Sequence, residues 1–161
     1  MPRVSSGWSV RVTLRAWILA LSCLVCLAGI VSGPPAAAGQ DHAPTAGQML
    51  SLMNRARQHR HLHGLHMDRG LSRKVHRHSA QMARRHRLFH SRNVGRYLRG
   101  RRWHEWGENI GEVSGSLGRL QRLFMHSPVH RANILNKGFH HAGIGVVNAR
   151  GRLWVTIVFY G

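Results

Sequence analysis

Histidine and arginine carry most of the chemistry this chain could offer, and carboxylates are scarce. There are 14 histidines and 24 lysines and arginines against five acids. His59, His61, His63 and His66 crowd together, and His59 and His63 are four apart on a predicted helix, where two imidazoles could share a metal. His86 and His90 repeat that spacing. The alternative for the histidine run is a solvated helix end. Glu105, Glu108 and Glu112 group three of the five acids in one short segment. They read either as an acidic island that attracts a cation or as ordinary partners for the arginines, and the second reading is preferred. Trp103 and Trp106 nearby could wall a ligand or pack at a cleft rim. Ser127 precedes His130 by three residues, but the spacing supplies no orienting acid, and an N-cap serine has its oxygen engaged. No convincing nucleophile arrangement results.

The formal net charge is +19, and Lys74 and Lys137 are the only lysines. Guanidinium stays charged at any relevant pH and grips phosphate or carboxylate with a two-pronged fork. Such a surface is expected to bind polyanions: nucleic acid, anionic lipid or an acidic cell-wall polymer. A genome rich in arginine codons is the bland alternative. No nucleic-acid-binding motif is present.

The elements that must position these groups begin after an export label. Arg3, Arg11 and Arg15 precede the uncharged apolar run Ala16 to Val31, then Gly33-Pro34-Pro35 and the small residues Ala36-Ala37-Ala38. That order is a secretory signal peptide, and the run is shorter than the roughly 20 residues of a spanning helix. A retained anchor and a lipoprotein attached through Cys23 or Cys26 are the rival readings. The expected division is 1–38 signal peptide, 39–45 linker and 46–161 a single domain, secreted or held at the cell envelope. Both cysteines lie in the apolar run, so the mature chain can form no disulfide and no thiolate zinc site.

Thr45 and Gln48 form a capping-box pattern, and Met49, Leu52, Met53 and Ala56 follow at helical spacing. The first helix is expected from about Ala46 to His63, stopped by Gly64. Asp68 caps a second helix ending near Leu88, with Leu71, Val75, Met82 and Ala83 inward. Residues 91–102 read as a basic connection. Trp106 to Val113 suits a strand, Ser116 caps a third helix, and Ser127-Pro128 starts a short one over Val129 to Leu135. A hairpin closes the chain, and its last strand, Leu153 to Tyr160, is apolar at almost every position. A strand apolar on both faces needs cover on both sides. The fold class is therefore α+β: a three-layer α-β-α sandwich around a small antiparallel or mixed sheet.

Six segments occur in an order similar to that of bacterial CAP (SCP) domains, the superfamily of cysteine-rich secretory proteins, antigen 5 and pathogenesis-related proteins. They are Asn54-Arg55, Asp68 with Leu71, Phe89-His90-Ser91, Gly107-Glu108-Asn109-Ile110, Ser127 to Leu135 (SPVHRANIL) and Gly143-Ile144-Gly145-Val146. The resemblance spans about Ala46 to Gly161 and points to a cysteine-free bacterial branch. It implies the α-β-α fold and a cleft with two histidines and an acid, His90, Glu108 and His130. Where other branches carry a second acid this chain has Ser127, and Phe124 stands where animal members often have tryptophan. Disulfides are absent too.

The resemblance implies a ligand set of His90, Glu108, Ser127 and His130. His90 and His130, with the Glu108 carboxylate, would be a suitable set for Zn2+ or another divalent cation, with water completing the shell. Alternatively Glu108 accepts backbone or imidazole hydrogen bonds and pins its segment in the core. The functional expectation is a secreted, non-catalytic binding module for a small ligand or cation, with an arginine-rich surface for polyanions. A small lipid-like ligand is suggested by analogy with eukaryotic members. The competing expectation is a metal-dependent hydrolase in which any catalysis runs through His90, Glu108 and His130. A cationic antimicrobial or nucleic-acid-binding role has only the charge behind it.

Overall fold

A computed structural model of the protein describes residues 43–161. The expected signal peptide and both cysteines lie outside them. The elements in order are α1 (Ala46–Gln58), β1 (His66–Met67), α2 (Arg69–Arg85), α3 (Val94–Leu98), β2 (Trp106–Ser114), α4 (Leu117–His126), α5 (Pro128–Leu135), β3 (His141–Ala149) and β4 (Arg152–Tyr160).

Side-chain caps start four of the helices. Thr45 Oγ1 accepts the Gln48 N–H, Asp68 Oδ1 the Leu71 N–H, Asn93 Oδ1 the Arg96 N–H and Ser116 Oγ the Arg119 N–H. Each satisfies an amide that the helix itself leaves without a partner. α5 starts instead with Pro128 at its first position, whose fixed φ suits a helix start.

The sheet is mixed, in the order β1-β3-β4-β2. β3 and β4 form an antiparallel hairpin joined at Arg150 and Gly151, both at positive φ (52° and 71°). Two such residues give a turn whose twist matches the strands. β2 pairs antiparallel with β4 from Trp106↔Tyr160 to Ser114↔Arg152 and forms one edge. β1 pairs in parallel with β3 through His66↔His141 and Met67↔Ala142.

β4 shows why the chain needs two helical layers. Leu153, Val155, Ile157 and Phe159 join the core built by Met49, Met53, Leu120, Phe124 and Ile134 of α1, α4 and α5. On the opposite face, Val158 and Tyr160 pack with Leu71, Val75, Val94 and Leu98 of α2 and α3. The α-β-α sandwich follows from that alternation. Gly145 lets α2 lie directly on the sheet: a Cβ there would sit 2.4 Å from the His76 backbone nitrogen.

Three expectations need correction. α1 stops at Gln58 rather than near His63, with a tight turn in which His61 takes φ 56°. The reason is Arg57, only 1% exposed, which turns inward to donate to the carbonyls of His63, Ile134, Asn136 and Phe139. Leaving the helix there lets the chain fold back over the guanidinium. α2 ends at Arg85, not near Leu88, because His86 adopts a left-handed conformation (φ 49°). The basic connection of residues 91–102 contains the short α3, held by Lys74 Nζ donating to Tyr97 O at 2.8 Å.

Candidate functional site: two histidines at the β2 edge

Alternation along β2 sends neighbouring side chains to opposite layers. Ile110 packs with Met82 and Ala83 of α2, whereas Val113 joins the α1–α4–α5 core. Glu108 points to the first side and Asn109 to the second. Because β2 is an edge strand, groups from both layers can reach it.

From the α2–α3 side comes the Phe89–Ser91 loop. Glu108 has a side chain only 3% exposed, and both of its oxygens are engaged. His90 Nδ1 donates to Oε2 at 2.6 Å, Ser91 N donates to the same oxygen at 3.0 Å, and Ser91 Oγ donates to Oε1 at 2.5 Å. Charge-assisted bonds of this kind are the strong ones. They hold His90 in the tautomer protonated at Nδ1 and leave Nε2 as its acceptor nitrogen. The His90 side chain is 63% exposed, so the carboxylate orients an imidazole that solvent reaches. Glu108 therefore anchors the loop and aims His90.

From the other layer comes the first turn of α5. Asn109 Nδ2 donates to His130 O at 3.0 Å, and Asn133 Nδ2 donates to Asn109 Oδ1 at 2.8 Å. Gly107 admits α5, since a Cβ there would sit 2.6 Å from Asn133 Oδ1. His130 Nδ1 and Ser127 Oγ are hydrogen-bonded at 2.9 Å, and the ring lies 4.9 Å from that of Phe124. Ser127 is the residue before α5, but its oxygen makes no cap bond and goes to the imidazole. This corrects the expectation that capping engages it. Burial lowers the His130 pKa, and the positive charge of a protonated His90 lowers it further. Adjacent residues of β2, Glu108 and Asn109, thus hold the two segments that carry the imidazoles, although His90 and His130 lie far apart along the chain.

The remaining groups scatter. Glu105 accepts from Asn136 Nδ2 at 2.9 Å and Glu112 pairs with Arg152, so the three glutamates serve three different partners and make no island. His59 ends α1 and His63 lies beyond its turn, so the two do not have the helical spacing expected of them. His86 follows the last residue of α2 and meets Arg150 Nη1 at 3.0 Å, so it and His90 do not share a helix. Trp103 and Trp106 remain 37% and 45% exposed at the entry to β2. Among the described residues no group of three or more His, Cys, Asp or Glu is arranged to hold a metal ion.

Residues 50–159 match the family described as "CAP: Cysteine-rich secretory protein family". The chain belongs to the CAP family. Its CAP domain is similar to an extracellular protein containing an SCP domain from Bacillus anthracis, at 26% identity and TM-score 0.61 over 71% of this chain and 39% of that one. It also superposes on a cysteine-rich secretory protein from Staphylococcus aureus, at 18% identity and TM-score 0.56 over 70% of this chain and 36% of that one. An outer surface protein from Borrelia burgdorferi gives 13% identity and TM-score 0.59 over 70% of this chain and 88% of that one. The chain thus spans well under half the length of the Bacillus and Staphylococcus proteins. No curated protein sequence matches it.

Two positions in this CAP domain matter more than their sequence context suggests. Arg57 gathers carbonyls at the C-terminal end of α5 and so positions the helix that carries His130. The signal was present as the i, i+4 stripe Met49, Met53, Arg57. Asp68 does more than cap: its carboxylate also takes a two-pronged bond from Arg101 and the Tyr160 hydroxyl at 2.9 Å. That ties α2, the loop after α3 and the end of β4 together.

Proposed function

We propose that this protein is a secreted, non-catalytic binding module whose CAP cleft presents His90 and His130 to a small ligand or divalent cation. Its arginine-rich surface would hold it on an anionic envelope polymer, anionic lipid or other polyanion. The observation that carries the reading is the allocation of Glu108. Both oxygens accept hydrogen bonds from His90 and Ser91, which favours a supporting role for Glu108 over that of the general base a metal-dependent hydrolase would need.

The donor chemistry fits a transition metal such as Zn2+ through two neutral imidazoles. A carboxylate behind a histidine is the usual support of a metal-bound ring. His90 and His130 would hold the ion, which would supply a Lewis acid at the cleft. Ser127 and Glu108 would fix the rings rather than bind the ion. For a lipid-like ligand, a recess of about 470 Å3 lined by Ala46, Gly47, Leu50 and Met67, with Arg69 and Arg73 beside it, offers an apolar floor near a cationic edge. The Bacillus protein is described as extracellular, which accords with the export label in this chain.

Calorimetric titration of Zn2+ into the purified protein tests the cleft. Binding lost in both His90→Ala and His130→Ala is expected. Binding that survives both substitutions overturns the site. Retention on heparin that weakens steeply with salt tests the surface; no retention at low salt removes the polyanion partner.

A further inference from the structure

His90 also borders a second recess, and the groups around it are of a different kind. This cavity of about 380 Å3 lies between the C-terminal half of α2, the 89–93 loop and α3. Arg85, Arg92 and Arg96 line it together with Phe89, Tyr97 and Gln81, and the lining holds no Asp or Glu. We propose that this recess is a binding site for a phosphate ester, with the phosphoryl group on the three guanidinium groups and the organic part against Phe89 and Tyr97. The proposal rests on the reading of the protein as a polyanion binder and gives that reading a defined locus.

The walls are held in place. Buried His78 meets Phe89 O through Nε2 at 2.8 Å and fastens the loop to α2. Lys74 fastens α3 to α2 through Tyr97 O at 2.8 Å, and Asn93 caps α3. The Arg85 guanidinium lies 5.3 Å from the Phe89 ring centroid, a cation–π contact that restricts it before any ligand arrives.

The charges are uncompensated. Among the described residues Asp68 pairs with Arg101, Glu112 with Arg152 and Glu108 with His90, and Glu105 bonds Asn136. None of these carboxylates reaches Arg85, Arg92 or Arg96. Three exposed cations around one recess repel each other, and an oxyanion relieves that repulsion while taking forked hydrogen bonds. The volume falls within the roughly 300–1,000 Å3 typical of small-molecule sites, so there is room for more than a bare ion. Two half-buried aromatic rings give that remainder an apolar wall.

Phenyl phosphate is the probe, followed by calorimetry at low salt, with inorganic phosphate and phosphatidylglycerol vesicles titrated in parallel. Phenyl phosphate is expected to bind more tightly than inorganic phosphate. The double variant R92A/R96A should lose about tenfold or more in affinity, and R92K/R96K should also weaken binding because lysine keeps the charge but not the fork. The control R119A/R122A removes the same charge from exposed α4 and should change affinity less than about twofold, as distant exposed charges are screened. If vesicle binding falls in R92A/R96A as well, the ester is a lipid headgroup; if only the soluble ester is lost, it is not. Equal losses in R92A/R96A and R119A/R122A overturn the site and leave a diffuse cationic surface. Absence of phenyl phosphate binding also overturns it, and heparin retention in the same buffer then decides separately whether the polyanion reading stands.

Discussion

Replacing Glu108 by alanine removes the acceptor for three donors at once. His90 Nδ1–H and Ser91 N–H share one oxygen, and the Ser91 hydroxyl takes the other. Each bond to a charged group is worth roughly 1.5–3 kcal/mol when intact. The loop lies at the surface, so water entering the vacated space would satisfy part of that demand. A net loss of about 2 kcal/mol is expected. With a urea m value of about 1.5 kcal/mol/M for a domain of this size, the unfolding midpoint falls by about 1.3 M. Glu108→Gln is the informative companion. Its amide oxygen can take the place of Oε2 and keep both N–H donors. Its NH2 can then donate to Ser91 Oγ once the hydroxyl rotates. All three bonds survive without the charge, so the loss should be about 1 kcal/mol or less. Zn2+ affinity should follow the same order, falling about tenfold to 100-fold in the alanine variant and far less in the glutamine one. Urea denaturation followed by tryptophan fluorescence reads the first quantity and calorimetry the second. Equal midpoints for wild type and Glu108→Ala would refute the reasoning, because the carboxylate would then hold nothing.

Asp68→Ala should cost about 3 kcal/mol in a urea titration, since it removes a cap and strands Arg101, itself mostly buried. The Arg101 guanidinium, with Leu71 N–H and the Tyr160 hydroxyl, holds the Asp68 carboxyl well below the usual carboxylate range. Its contribution is complete above the unfolded value near 4 and is lost as pH falls toward the folded one, so the alanine variant should show a flatter melting temperature below about pH 4. His130 and His141 act in the same direction for a different reason. Burial lowers both, aided by His90 in the first case and by His66 in the second. The unfolded chain takes up the proton first, so thermal stability should fall between about pH 7 and pH 5. A melting temperature that rises over that interval would contradict both assignments. Gln121 is buried in α4 with neither amide atom hydrogen-bonded to the protein. Gln121→Leu is expected to raise stability by about 1 kcal/mol, read as a higher urea midpoint.

Local chemistry made much of the fold legible. The caps Thr45, Asp68 and Ser116 act over three residues of chain, and a pattern of residue types is enough to find them. The hairpin and the two-sided burial of β4 are equally local, because alternation along a strand needs no partner to be seen. β1 and α3 were out of reach for the opposite reason. β1 is two residues long and exists only through parallel pairing with β3, far along the chain. α3 is one short helix whose place on α2 depends on Lys74 finding a distant carbonyl.

The candidate site divides along the same line. The order of segments names His90, Glu108, Ser127 and His130, but not what each side chain does. Of the two roles the sequence left open for Glu108, ligand or hydrogen-bond acceptor, the Phe89–Ser91 loop favours the second by delivering donors to both oxygens. Ser127 leaves its helix end unbonded because His130, one turn later, competes for the same hydroxyl. The histidine run at residues 59–66 loses its helical spacing because Arg57 turns into the core and ends α1 early. Residue types and short spacings thus determined which groups were available and which elements would carry them. Which donor meets which acceptor was decided only by packing two helical layers on one sheet, since a hydrogen bond depends on an approach of a few tenths of an ångström that no one-dimensional pattern encodes.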